Sequence, residues 1–143
     1  MTNPLNTPLI IAATFSGLAS VLHIGCIVFG ASWYRFFGAG EQMAILAEQG
    51  SLQPTVITSI LVLILAAWSL YALSGAGVIG KLPLLKTGLT IITAIYLVRG
   101  VAGFFLITNP LGRSPEFWVW SSIICLSIGL LHLVGLKQIW AST

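Results

Sequence analysis

The chain has 143 residues, of which 57% are hydrophobic and only 6% are charged, and its formal net charge is +3. Soluble domains carry roughly 25% charged residues, so this composition excludes an ordinary soluble protein and predicts an integral membrane protein. The lysine and arginine side chains are scattered rather than clustered. That distribution excludes a nucleic-acid partner and leaves the lipid bilayer as the predicted surroundings.

Four apolar segments, each long enough to cross a bilayer, predict an all-α fold. We expect one domain over residues 1–143, an integral membrane bundle of four transmembrane helices at about 8–31, 54–74, 83–108 and 115–140. Thr7 and Ser114 are the expected N-caps of the first and fourth helices, and Asn109-Pro110 is expected to end the third. Each span has a proline where the first helical residue should be, a position that needs no N–H: Pro8, Pro54, Pro83 and Pro115.

The connection between the first two spans is the longest, and it begins with the aromatic run at residues 33–37. Such residues sit at the level of the lipid headgroups. Gly40 and Gly50 then bracket a short amphipathic segment, which predicts an interfacial helix at about 41–49 in the first outer loop. This helix would either anchor the loop on the membrane or fold back as a lid over the bundle mouth.

The cations favour one orientation in the membrane. Lys81, Lys86 and Lys137 lie on the side of the two termini, and Arg35 and Arg113 lie on the other. Because cytoplasmic loops carry the excess of Lys and Arg, both termini are predicted to be cytoplasmic. The predicted location is the cell inner (plasma) membrane, which the chain crosses several times.

Arg99 is the one cation deep inside a predicted span, far from the surface at which that helix begins. Tyr96 and Gly103 share its helical face, so the guanidinium is expected to point into the bundle. Holding a charge at this depth is costly, so Arg99 needs a partner. Either Glu41 or Glu116 reaches it from the outer mouth, or a bound anion or polar ligand does.

Depth groups the polar residues into layers. His23 and Arg99 lie 15 and 16 residues beyond their opening prolines on two helices that run the same way, so they should share a layer. Cys125 falls in that layer, whereas His132 should lie about 10 Å deeper toward the cytoplasm. The residues predicted to bind a ligand occupy this outer half of the bundle: His23, Arg99, Tyr96 and Cys125, with Glu41 and Glu116 near its mouth.

The same residues argue against cofactor chemistry. A haem held by His23 and His132 is opposed by their offset in depth, since both axial ligands must approach one iron. A soft-metal site of His23, Cys26 and Cys125 would place a cation beside Arg99. Signatures of hydrolases and of phosphate-binding glycine loops are missing from the sequence. We therefore predict no cofactor, no metal and no catalytic residue, and both thiols should be reduced packing groups.

Two functions from different classes remain. The first is binding or transport of a small anionic or amphipathic molecule, for example one with a quinone-like headgroup, at the His23 and Arg99 layer. The alternative is a noncatalytic membrane subunit, or a homo-oligomer, that docks through small-residue helix faces such as Gly100 and Gly103. In size and layout, with four spans and a longer first outer loop, the chain resembles the small bacterial DoxX-like membrane proteins. That resemblance is one of outline and assigns no residue or activity.

Overall fold

A computed structural model describes residues 4–142 and confirms the all-α fold. Its helices are α1 (Thr7–Phe29), α2 (Ala31–Phe36), α3 (Glu41–Glu48), α4 (Gln53–Ala76), α5 (Leu85–Phe105) and α6 (Pro115–Ala141). Four of them, α1, α4, α5 and α6, are long and apolar enough to cross a membrane. The short α3 occupies the position predicted for the helix of the first outer loop.

The four long helices pack as two pairs. Helix α1 packs mainly on α4, and α5 on α6, while contacts of α1 with α6 and of α4 with α5 join the pairs. Helices α1 and α5 are therefore diagonal and have no close backbone contact. We call the end of the bundle that carries α2, α3 and residues 106–114 the loop end, and the opposite end the terminal end.

The first helix has a different cap and a different end from those predicted. Asn6 rather than Thr7 caps α1, because its Oδ1 accepts from the N–H of Leu9 at 3.4 Å while its Nδ2 donates to the carbonyl of Gly135 at 2.8 Å. One side chain thus caps α1 and ties it to α6. At the other end, Gly30 adopts a φ of +75°, so the helix stops at Phe29 and the chain turns into α2.

The third long helix is shorter than predicted at both ends. It begins at Leu85, because Leu84 has a left-handed φ of 52° and Pro83 is therefore not its first helical residue. The preceding turn is held on α4, where Ser74 Oγ bonds both the N–H of Leu82 and the carbonyl of Gly80 at 2.9 Å. The helix ends at Phe105, three residues before the predicted end.

At the loop end, α2 and α3 fold back onto α1 and α4. Tyr34 Oη lies 3.0 Å from Thr58 Oγ1, which fastens α2 to α4. Ala44 of α3 is fully buried in a cluster with Cys26 and Tyr34. These contacts hold the connection between α1 and α4 over this end of the bundle.

Candidate functional site

Arg99 lies six residues before the end of α5, so its Cα is about 9 Å from that end by helical rise. Its guanidinium lies against residues of the first two turns of α6: Nη2 donates to Ser121 Oγ at 3.1 Å, and Cζ is 4.8 Å from the centroid of the Trp118 ring. Trp118 stands in the first turn of α6, at the loop end. The long side chain therefore runs outward along the bundle, as cationic side chains near the end of a membrane span commonly do.

Gly103 makes this course possible. A Cβ at position 103 would collide with Ser122 Oγ and lie 2.8 Å from Arg99 Nη1. Gly100 is equally constrained, because its Cβ would lie 2.8 Å from the backbone nitrogen of Leu126. Both glycines are buried against α6 of the same chain, so the close helix contact that they serve lies within the bundle.

A second guanidinium reaches the same tryptophan. Arg113 Cζ is 5.7 Å from the centroid of the Trp118 ring and 5.3 Å from that of Phe117. Trp118 is 5% exposed, and its Nε1 donates to the carbonyl of Pro110 at 2.8 Å, so its ring is firmly placed. We call Arg99, Arg113, Trp118, Ser121 and Ser122 the arginine–tryptophan site.

Three buried polar atoms of this site lack a hydrogen-bond partner within residues 4–142. They are Arg99 Nη1, Arg113 Nε and Ser122 Oγ. All three carry hydrogens, so each can donate. A buried donor without an acceptor costs about 1–3 kcal/mol, and more where the group is charged. The site therefore presents donors and positive charge without acceptors to match them.

The acidic residues predicted to neutralise Arg99 lie elsewhere. Arg35 Nη2 is 2.7 Å from Glu41 Oε1, and its Nη1 is 2.6 Å from Glu48 Oε1. These hydrogen bonds lower the pKa of both carboxyl groups and raise the pKa of Arg35. Glu116 is exposed and forms no ion pair within the described residues. The predicted pairing of Arg99 with Glu41 or Glu116 is therefore absent from this part of the chain.

A cleft of about 210 Å³ opens beside the site, between α3 and the loop before α6. Its walls are formed by residues 39, 40, 42, 43 and 46, by Gln53 at the start of α4, and by residues 111–113. Arg113 is the one charged residue among them. The same arginine thus faces both the cleft and the Trp118 ring.

Tyr96 does not join Arg99 but lies at the centre of the bundle. Its Oη is 2.7 Å from Ser16 Oγ on the diagonal helix α1. Its ring centroid is 5.0 Å from that of Trp68 and 5.3 Å from that of His132. We call Ser16, Trp68, Tyr96 and His132 the central polar cluster.

His132 is fully buried in this cluster. Its Nδ1 lies 3.1 Å from the carbonyl of Ile128, and since a carbonyl can only accept, Nδ1 carries the hydrogen. Nε2 is therefore an acceptor, and it has no partner within residues 4–142. The hydrogen bond of Nδ1 stays within α6, so His132 makes no hydrogen bond to another helix within the described residues.

The remaining predicted site residues are dispersed. His23 is half-buried, its Nδ1 donates to the carbonyl of Ala19 at 2.6 Å, and it makes no hydrogen bond or ring contact with Arg99. Cys125 packs against the buried cluster that includes Tyr96, whereas Cys26 packs beside Tyr34, and both are free thiols. Within the described residues, no three His, Cys, Asp or Glu side chains gather in a metal-binding arrangement.

Comparison of the chain with protein-family models, with curated proteins and with solved structures finds no match. The residues themselves are therefore the guide to the chemistry of this site. Arg113, Trp118, Ser121 and Ser122 were not among the residues predicted from the sequence. Their signal was the short connection between α5 and α6, which places the first turns of α6 beside the last turns of α5.

Proposed function

We propose that this membrane protein binds an anionic amphipathic molecule at its loop end. Arg99 and Arg113 hold the anionic group, and the apolar part of the molecule stays in the bilayer. The observation that carries the proposal is that three buried donors without acceptors, Arg99 Nη1, Arg113 Nε and Ser122 Oγ, belong to the residues around the Trp118 ring, which two cations contact.

An anion is the partner that this arrangement favours. The Trp118 ring offers each guanidinium a cation–π contact of about 0.5–2 kcal/mol. The ring does not supply the hydrogen-bond acceptor that Arg99 Nη1 and Arg113 Nε lack. Phosphate and carboxylate groups accept two parallel hydrogen bonds from one guanidinium and neutralise its charge. Glu41 and Glu48 are bonded to Arg35, and Glu116 forms no ion pair within the described residues, so the proposal assigns the counter-charge to an anion from another molecule.

The surroundings of the site favour a molecule that resides in the membrane. Large apolar side chains exposed at this end of α5 and α6 include Phe104, Phe105 and Trp120. They continue the exposed apolar surfaces of two helices that are long and apolar enough to cross a membrane. A phosphate or carboxylate on an apolar tail can reach Arg99 without leaving the bilayer, whereas a free anion would have to arrive from water.

Thermal unfolding of the delipidated protein in a neutral detergent tests this function. Phosphatidylglycerol, phosphatidylcholine and inorganic phosphate are added separately. We expect phosphatidylglycerol to raise the unfolding temperature and phosphatidylcholine to have little effect, since a ligand at a hundred times its Kd stabilises by about 2.7 kcal/mol. A shift of equal size with inorganic phosphate would identify a soluble anion as the source.

Three variants show where the lipid acts. Arg99→Gln and Arg113→Gln should each lose most of the lipid-induced shift, and Arg35→Gln is the matched control, because Arg35 is exposed and bonded to glutamates. The proposal fails if Arg99→Gln and Arg113→Gln respond to phosphatidylglycerol as the parent does.

A further inference from the structure

We propose that the cleft beside Arg113 binds the uncharged, hydroxyl-bearing part of the lipid headgroup. The site would then select anionic phospholipids whose phosphate carries a polyol, over a bare phosphate and over an ammonium headgroup. This inference rests on the proposed function, because it places the phosphate at Arg99 and Arg113.

Arg113 connects the two parts of the binding site. It lines the cleft and also lies against Trp118, whose ring is shared with Arg99. A phosphodiester held by Arg113 therefore has one substituent directed to the bilayer through the lipid tail and another beside the cleft. The Nε of Arg113 is buried and has no partner within residues 4–142, so the proposal assigns it to the phosphate.

The size and lining of the cleft suit a small polar group. Its volume of about 210 Å³ is below the range of roughly 300–1,000 Å³ typical of sites for drug-sized molecules. Gln42 and Gln53 line it, and neither side chain has a hydrogen bond within the described residues. A carboxamide both donates and accepts, as a hydroxyl does, so the two glutamines match a polyol.

The charges around the cleft disfavour an ammonium group. Arg113 is the one charged residue of its lining, and it is a cation. Glu41 and Glu48, which α3 could have offered, are bonded to Arg35. An ammonium headgroup would therefore meet a like charge here and no carboxylate.

Lipid titrations of the delipidated protein, followed by native mass spectrometry, test the selectivity. The lipids are phosphatidylglycerol, phosphatidic acid and phosphatidylethanolamine with identical tails. We expect the parent to bind phosphatidylglycerol most tightly and phosphatidylethanolamine least. In Gln42→Leu and Gln53→Leu, the ratio of the affinities for phosphatidylglycerol and phosphatidic acid should fall about threefold to tenfold, the equivalent of one lost hydrogen bond. Gln49→Leu, an exposed position outside the cleft lining, should leave the ratio unchanged.

The outcomes separate this inference from the function on which it rests. An unchanged ratio in both Gln42→Leu and Gln53→Leu, or a parent that prefers phosphatidic acid, overturns the headgroup assignment while anion binding stands. If Arg99→Gln and Arg113→Gln bind phosphatidylglycerol as tightly as the parent, the proposed function itself fails, and the headgroup assignment fails with it.

Discussion

The hydroxyl of Tyr96 on α5 lies 2.7 Å from the hydroxyl of Ser16 on α1, across the diagonal of the bundle. Helices α1 and α5 have no close backbone contact, so this bond joins them through their side chains. Ser16 is fully buried and Tyr96 is nearly so. Edge contact with Trp68 and packing on His132 hold the tyrosine ring in place between them.

We expect Ser16→Ala and Tyr96→Phe each to lower the free energy of unfolding by about 1 kcal/mol, because each leaves one buried hydroxyl without its partner. The double variant should lose less than the sum of the two single variants, since it leaves neither hydroxyl behind. Chemical unfolding in mixed micelles measures all three. Strict additivity would mean that the two hydroxyls do not interact.

His132→Leu should raise the free energy of unfolding by about 1 kcal/mol. The change removes the buried Nε2, which has no partner within residues 4–142. It also removes the hydrogen bond from Nδ1 to Ile128, but this loss costs little because the Ile128 carbonyl belongs to a helix. His23→Leu is the control: its ring is only half-buried, so we expect a change within about 0.5 kcal/mol. Marked destabilisation by His132→Leu would show that Nε2 is satisfied by a buried water.

Two glycines of α5 should respond differently to the same substitution. Gly103→Ala places its methyl group on Ser122 Oγ and near Arg99 Nη1, so we expect a loss of about 1–3 kcal/mol that Ser122→Ala partly restores. Gly100→Ala meets the backbone of Leu126, which no side-chain change can relieve. The unfolding free energies of the single and double variants check this, and a Gly103→Ala that Ser122→Ala does not improve would contradict the close approach at Ser122.

The Arg35 network should make the loop end sensitive to acid. The pKa values of Glu41 and Glu48 are lowered by hydrogen bonds to Arg35, so their stabilising contribution is present above the unfolded-state pKa, about 4.3, and is lost as the pH falls through the folded values. Hydrogen exchange of α3 amides between pH 6 and pH 3 should show this loss, corrected for intrinsic exchange rates. In the double variant Glu41→Gln/Glu48→Gln, the exchange rates of the α3 amides should depend less on pH. High salt should weaken the pH dependence in the parent. An equally steep profile in the double variant would assign the acid response to other groups.

Hydropathy and proline positions were sufficient to predict the four spans, because a bilayer imposes length and composition on each helix. The choice of Asn6 over Thr7 as the cap could not be predicted, since either side chain can cap and the contact with Gly135 decides between them. Pro83 misled for a similar reason: contacts of the preceding turn with Ser74 delay the start of α5.

The sequence predicted the chemistry of the candidate site but not which residues surround Arg99. Arg99 could be recognised as a charge in need of a partner, but the direction of its side chain depends on the space above Gly103 and on the register of α5 against α6. Tyr96 lies about one turn farther from the loop end than Arg99, and His132 also lies deeper than Arg99, so the rings of Tyr96 and His132 meet. The contact could have been predicted by comparing the depth of His132 with that of Tyr96 rather than with that of Cys125.

The central claim is that Arg99 and Arg113 bind a lipid phosphate, and solid-state NMR tests it directly. The chain contains three arginines, so Arg35→Gln leaves these two as the only guanidinium groups. In phosphatidylglycerol bilayers, we expect ³¹P to dephase the ¹⁵N side-chain signals of Arg35→Gln protein that is labelled at arginine. When Arg99→Gln or Arg113→Gln is added to Arg35→Gln, we expect the signal of the one arginine that remains to be dephased less. Arginine signals that show no dipolar coupling to phosphorus in the Arg35→Gln protein would contradict the claim.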